Sequence, residues 1–193
     1  DFICDGDFFP FAHLRLTGVL PRIALCYCAA SFIALYLNHK YIGWLVGILL
    51  AGYALLLCVG NGYAPDGTNL LAVIDRNVLG AAHLYHKSPI DPEGLTSTLS
   101  AIAHTLIGFC CGKLILAREP LEQKTLKLFV AGFMLMACGF CLTEALPLNK
   151  RIWSPSFVLV TCGLAAMLQA LLIYFIDMKE KKNWCRFFEI FGV

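Results

Sequence analysis

Five long apolar stretches constrain this chain more than any other feature. Residues 41–60 and 157–176 each run 20 residues without a charge. Residues 95–112 and 128–143 are nearly as long, and 23–37 follow Pro21 and Arg22. An α-helix needs about 20 mostly apolar residues to cross the hydrocarbon core of a bilayer. A mean hydropathy of +0.73 and a charged fraction of 15% agree with that reading. The fold class that follows is all-α: a polytopic bundle of about five transmembrane helices in one membrane domain over 1–193. Spans are expected near 17–37, 41–60, 93–116, 127–145 and 155–176, with an external loop at 61–94 and no separate soluble domain.

A net charge of +2 is too small to favour nucleic acid as a partner. The chain opens on Asp1 and stops at Val193 inside an apolar run. It therefore reads as an internal fragment of a longer protein. Of the ten cysteines, Cys26, Cys28, Cys58, Cys110, Cys111, Cys138, Cys141 and Cys162 lie inside apolar stretches. They serve as small packing residues rather than as a disulfide framework. Cys138-x-x-Cys141 carries no redox or metal role in this reading, and His83-x-x-His86 lacks a third ligand for zinc. No metal is expected.

Lysine and arginine set the orientation. The N-terminal segment and the loops at 61–94 and 146–154 share one side and carry Arg15, Arg22, Arg76, Lys87, Lys150 and Arg151. The other side carries Lys40, Lys113, Arg118, Lys124, Lys127, Lys179, Lys181, Lys182 and Arg186. The richer side is cytoplasmic by the positive-inside rule. Loops 61–94 and 146–154 are then external, and 177–193 cytoplasmic. A bacterial inner membrane is the expected location.

Local signals fill in the loops. Residues 1–16 look like the end of an external loop. Gly60-Asn61-Gly62 ends the second span. Within 61–94, Leu70, Val73, Ile74, Ala81, Leu84 and Tyr85 recur at helical spacing after a cap at Asn69. A short amphipathic helix at the membrane face is expected, carrying Asp75, Arg76 and His83. Asp91-Pro92-Glu93-Gly94 starts the third span. That span has a stripe of small and polar residues: Ser97, Ser100, His104, Gly108 and Cys111. Its Gly108-x-x-x-Gly112 allows a close helix contact. His104 reads as a packing histidine and Trp153 as an interfacial belt aromatic. Residues 184–191 look interfacial or start another span.

Several of these pieces occur in the order found in one known family. They are Gly18-Val19-Leu20-Pro21-Arg22-Ile23-Ala24-Leu25, Ile74-Asp75-Arg76, Leu79-Gly80, His83-Leu84-Tyr85, Asp91-Pro92-Glu93-Gly94, and Leu148-Asn149-Lys150 with Trp153-Ser154. In this ordered set the chain resembles the heparan-α-glucosaminide N-acetyltransferase family and its bacterial membrane relatives. The resemblance implies transfer of an acetyl group from cytosolic acetyl-CoA, as co-substrate, to the amine of a glucosamine or other amino sugar outside the cytoplasm. The family's proposed catalytic histidine lies upstream of every residue here. No histidine in this chain inherits that role, and the fragment alone is expected to be inactive.

Acetyl transfer to an amine needs a base, donors for the thioester oxygen as it becomes anionic, and cations for the CoA phosphates. Candidate binding residues are Arg22, Asp75, Arg76, His83, Asp91, Glu93, Ser97, Asn149 and Lys150. Each has a plainer alternative. Arg22 and Lys150 suit an anionic ligand or snorkelling at the interface. Asp75 and Arg76 suit ligand contact or loop pairing. His83 suits a sugar or an interfacial position, Asp91 and Glu93 a ligand or a helix start, Ser97 a cavity wall or helix packing. Asn149 belongs to a tight external turn. Partners are an amino-sugar or glycan acceptor, membrane lipid and a further copy of the chain. The rival function is an amino-sugar permease or transport-associated membrane protein, which paired broken helices in repeated halves would favour; only one broken stretch, 61–94, is visible.

Overall fold

The computed structural model describes residues 17–64, 66, 68–80, 83–84, 91–180 and 190. The expectations for 1–16, for Ala81, Tyr85 and His86, and for 184–189 and 191 lie outside the described residues. Among the described residues six α-helices follow in order: α1 (Val19–Tyr36), α2 (Ile42–Val59), α3 (Leu70–Leu79), α4 (Leu95–Ile115), α5 (Leu121–Leu142) and α6 (Pro155–Ile173). All except α3 are long and apolar enough to cross a membrane. The protein is an integral membrane helix bundle.

α4 is the centre of the bundle and touches α1, α2, α3, α5 and α6. α2 lies on it through one stripe, Ile42, Val46, Leu50, Tyr53 and Leu57, all buried. Those positions recur every three to four residues, which keeps them on one helix face. The remaining faces of the long helices stay apolar and outward, with Leu20, Leu35, Trp44, Val59 and Leu116 each more than 75% exposed. Soluble helices would carry charges there; in a bilayer those faces meet lipid, and the helices lose their amphipathic pattern.

The closest helix pair is α5 with α6. A Cβ at Gly163 would stand 2.5 Å from the Gly132 carbonyl oxygen, and one at Gly139 would stand 2.8 Å from the Val160 nitrogen. Glycine is required where two backbones approach this far. Gly108 and Gly112 do not share that role. Among the described residues nothing lies within 4 Å of a Cβ built on either, so the expected close contact on α4 is not made there. The small-residue pattern alone could not tell a helix contact from an open space.

Helix ends follow local chemistry. Ser154 caps α6, accepting from the Phe157 amide at 3.3 Å, with Pro155 in the first turn. Lys124 donates to the Ile115 carbonyl at the end of α4, and Lys127 bridges Glu119 in the following turn. α5 begins at Leu121, six residues ahead of the expected start at 127. Pro120 supplies the break, and the charged residues 122–127 wind as helix rather than loop.

α3 is the first part of the short helix expected in the 61–94 loop; it stops at Leu79, so His83, expected on it, lies beyond its end. The Asn69 side chain accepts from Leu71 N at 2.8 Å at its start. Gly80, at φ 81°, ends it. Leu71 is buried against Tyr53, Leu57 and Ile152. This cluster seats α3 on the end of the bundle where α2 finishes and α6 begins. The Tyr53 hydroxyl donates to the Ile152 carbonyl and ties α2 to the same turn.

Candidate functional site

The N-terminus of α4 gathers side chains from four segments. Asp91 accepts from the Thr17 hydroxyl and, at 2.9 Å, from the Glu93 amide. From α3, Asp75 Oδ1 accepts from the Thr96 amide at 3.0 Å and the Thr96 hydroxyl at 2.7 Å. Gly94, the residue at the cap position, has no side chain to do this itself. A Cβ at Gly94 would overlap the Asp75 carboxylate. Asp75 is thus a helix cap delivered from another element, and Gly94 is the space it needs. Burial raises the Asp75 pKa above the ordinary carboxylate value, and the Thr96 bonds oppose that rise.

Arg22, one turn into α1, is 8% exposed. Its guanidinium donates to the Pro92 carbonyl, the Ser97 carbonyl and the Ser97 hydroxyl, at 3.0, 3.0 and 3.1 Å. The same group lies 4.4 Å from the Trp153 ring centroid. A planar fork with five donors suits this simultaneous binding and stacking. Arg22 therefore fastens α1 and the α5–α6 turn to the head of α4. Its Nε is buried with no hydrogen-bond partner among the described residues.

The turn at 149–154 is built by its own polar groups. Asn149 Oδ1 accepts from Arg151 N, Ser154 Oγ accepts from Asn149 N, and Ser154 N donates to the Asn149 carbonyl. Trp153 closes the turn at φ 54°. A bulky residue at positive φ is uncommon and persists only where its surroundings hold it. Here Arg22 stacks on the ring, while His104 and Phe157 lie beside it at centroid distances of 5.9 and 5.4 Å.

A cavity of about 550 Å³ opens beside this assembly. Arg22, Glu93, His104, Lys150 and Trp153 contribute its polar wall, and Ile23 and Tyr27 belong to its apolar one. Two cations, a carboxylate and an imidazole thus surround one space beside the head of α4. A chamber of this size suits a small organic ligand held by a few polar groups.

The candidate residues separate into three layers. Arg22, Glu93 and Lys150 line the cavity. Asp75, Asp91, Ser97 and Asn149 lie behind it as hydrogen-bonding framework. Arg76 is exposed on α3, and His83 is half-buried beyond Gly80; both make further contacts, and neither lines this cavity. His104 and Trp153 do line it, although the sequence favoured packing and belt roles for them. The signal for His104 was its membership of the polar stripe on α4. For Trp153 it was adjacency to the Asn149-Lys150 turn.

No family model matches the chain. It is similar to human heparan-α-glucosaminide N-acetyltransferase. The two are 29% identical over 123 residues, covering 55% of this chain and 19% of that protein. The mouse protein of the same name is 28% identical over 123 residues, with the same coverage. The matched stretch thus spans about a fifth of the length of either relative. Both relatives are N-acetyltransferases by name.

Proposed function

We propose that this protein is a transmembrane acetyltransferase that moves an acetyl group from cytosolic acetyl-CoA to the amine of an amino sugar outside the cytoplasm. The observation that carries the reading is the cavity lined by Arg22, Glu93, His104 and Lys150, in a bundle of spanning helices similar to heparan-α-glucosaminide N-acetyltransferases. The charge excess on the opposite side makes the cavity end external, and a bacterial inner membrane suits that orientation.

The chemistry fits the wall. Glu93 attracts an ammonium group and orients an amine once neutral. Lys150 and Arg22 provide positive potential for a carbonyl oxygen as it gains charge, an effect that strengthens where water is excluded. The apolar wall excludes competing water from a thioester.

The test is reconstitution of the complete open reading frame in liposomes, with acetyl-CoA on the Lys-rich side and glucosamine on the other. The expected product is N-acetylglucosamine on the glucosamine side. Sugar passage without acetylation would replace this reading with the permease.

A further inference from the structure

A groove of about 410 Å³ runs between α2 and α5, with α4 as its floor. α2 and α5 both pack on α4 but not closely on each other, which leaves the slot open along the side of the bundle. Gly43 and Val46 form one wall, α4 from Ile107 to Leu114 the floor, and α5 from Leu128 to Cys138 the other wall. Among the described residues the lining is a glycine, aliphatic side chains, a methionine and three cysteines. None of these residues borders the polar cavity at the head of α4.

The groove has the length of one leaflet. At about 1.5 Å per residue its α5 wall runs roughly 15 Å from Leu128 to Cys138, half of a hydrocarbon core of about 30 Å. Its outer end lies at the lysine-rich face, because Gly43 is near the start of α2 and Leu114 near the end of α4. Floor and walls each lead there to a lysine. Lys40 stands exposed in the single turn His39–Tyr41 ahead of α2, its ammonium 4.8 Å from the Tyr41 ring centroid. Lys113, also exposed, lies one turn beyond Cys110 on α4. Lys124 lies one turn before Leu128 on the same face of α5, and its ammonium donates to the Ile115 carbonyl at 2.9 Å. The carboxylates nearby are engaged elsewhere. Glu119 is held by Lys127 at 2.7 Å, and Glu122 borders a different cavity, against α6.

We propose that this groove binds an anionic phospholipid of the leaflet at the lysine-rich face. One acyl chain lies between α2 and α5, and the phosphate sits among Lys40, Lys113 and Lys124. Basic pockets between spanning helices take anionic headgroups in this way. The apolar lining suits hydrocarbon and little else. The acyl-carrying arm of CoA bears amides, which would lose their hydrogen bonds against these walls. A spanning helix, about 10–12 Å across with its side chains, is too thick for the slot. The lipid would close the gap between α2 and α5 and brace the helix whose other end heads the polar cavity. Binding of this kind does not depend on the acetyl-transfer reading.

The test uses the complete open reading frame in nanodiscs of phosphatidylcholine with a small fraction of phosphatidylglycerol that carries a diazirine in its acyl chain. After irradiation, mass spectrometry of the peptides locates the adducts. They should concentrate on residues 107–114 and 128–138. Unlabelled phosphatidylglycerol should displace them, and phosphatidylcholine should do so at least about tenfold less well. Lys40→Gln, Lys113→Gln and Lys124→Gln combined should abolish that preference. Gly43→Leu, with the lysines intact, should lower labelling by filling the groove; a Cβ there meets nothing within 4 Å among the described residues, so the side chain enters without a clash. The competition on wild type decides the matter even where a variant fails to fold. Adducts spread evenly over all outward helix faces mean bulk lipid only and overturn the site. Equal displacement by phosphatidylcholine overturns the anionic headgroup and the proposal with it. A groove without adducts, closed by another segment of the complete chain or by a second copy, overturns it as well.

Discussion

Asp75 caps a helix to which it does not belong. Its Oδ1 takes both the amide and the hydroxyl of Thr96 at the start of α4, 21 residues further along the chain. That one carboxylate fixes α3 against the spanning bundle and sets the position of the turn that carries Glu93, beside the cavity. Asp75 lies one layer behind the cavity wall, so its influence on a ligand passes through α4.

Removing the Asp75 cap should cost stability, in a way that depends on the acceptor rather than the charge. Asp75→Ala leaves the Thr96 amide and hydroxyl without their buried partner. Losing a helix cap costs about 0.5–2 kcal/mol. Asp75→Asn retains a carbonyl oxygen at the same place and should recover most of the loss. Thermal unfolding in detergent tests this. Equal destabilisation by Ala and Asn would show that the negative charge, not the cap, holds α3.

The same carboxylate gives stability a pH dependence of definite sign. Burial raises its pKa above the ordinary 3.8, so the folded protein holds the proton more tightly than the unfolded chain. Wherever the folded state binds more protons, stability falls as pH rises. Asp75 therefore contributes a loss of stability that starts near its ordinary pKa and is complete once pH has passed the folded value. Asp75→Asn removes this slope. Melting temperatures of wild type relative to D75N should decline from about pH 4 upward; a flat difference would refute the assignment.

Much of this fold was legible because length and apolarity suffice for a spanning helix, and all five spans were visible as runs. α3 was legible from Asn69 and the spacing of Leu70, Val73 and Ile74. Tertiary pairing was not. Asp75 and Arg76 are adjacent in sequence and look equivalent, yet one is buried in a cap and the other exposed. Arg22 looked like an ion waiting for a counter-charge, but its fork is occupied largely by carbonyl oxygens. Neutral backbone partners leave no mark in a sequence. The glycines carry the same lesson: Gly108 and Gly163 sit in similar apolar runs, one beside open space and the other against a backbone.

That contrast is measurable. A Cβ at Gly163 meets the Gly132 carbonyl oxygen and the Met136 nitrogen, each at 2.5 Å, and these are main-chain atoms that cannot step aside. Gly163→Ala should separate α5 from α6 and destabilise the protein by about 1–3 kcal/mol, as overpacking does. Gly108→Ala and Gly112→Ala meet open space and should fold as well as wild type. Thermal unfolding of the three variants separates the cases. Destabilisation by Gly108→Ala greater than by Gly163→Ala would mean that α4, not the α5–α6 pair, carries the close contact.

Arg22 should be the substitution most damaging to function among the cavity residues near the α4 head. Its side chain makes three hydrogen bonds to Pro92 and Ser97 while stacking on Trp153, so its loss loosens α1, the α4 start and the 149–154 turn together. In the complete protein, Arg22→Ala should lower acetyl transfer by at least about tenfold, or about 1.4 kcal/mol in barrier. Arg22→Lys keeps the charge but lacks the planar fork, and should recover little. Asp75→Ala should produce a loss of similar size by displacing Glu93. Expression and membrane insertion must match wild type before rates are compared. Full activity in Arg22→Ala would remove the α4 head from the site; full recovery by Arg22→Lys would show that charge alone is what the cavity needs from this position.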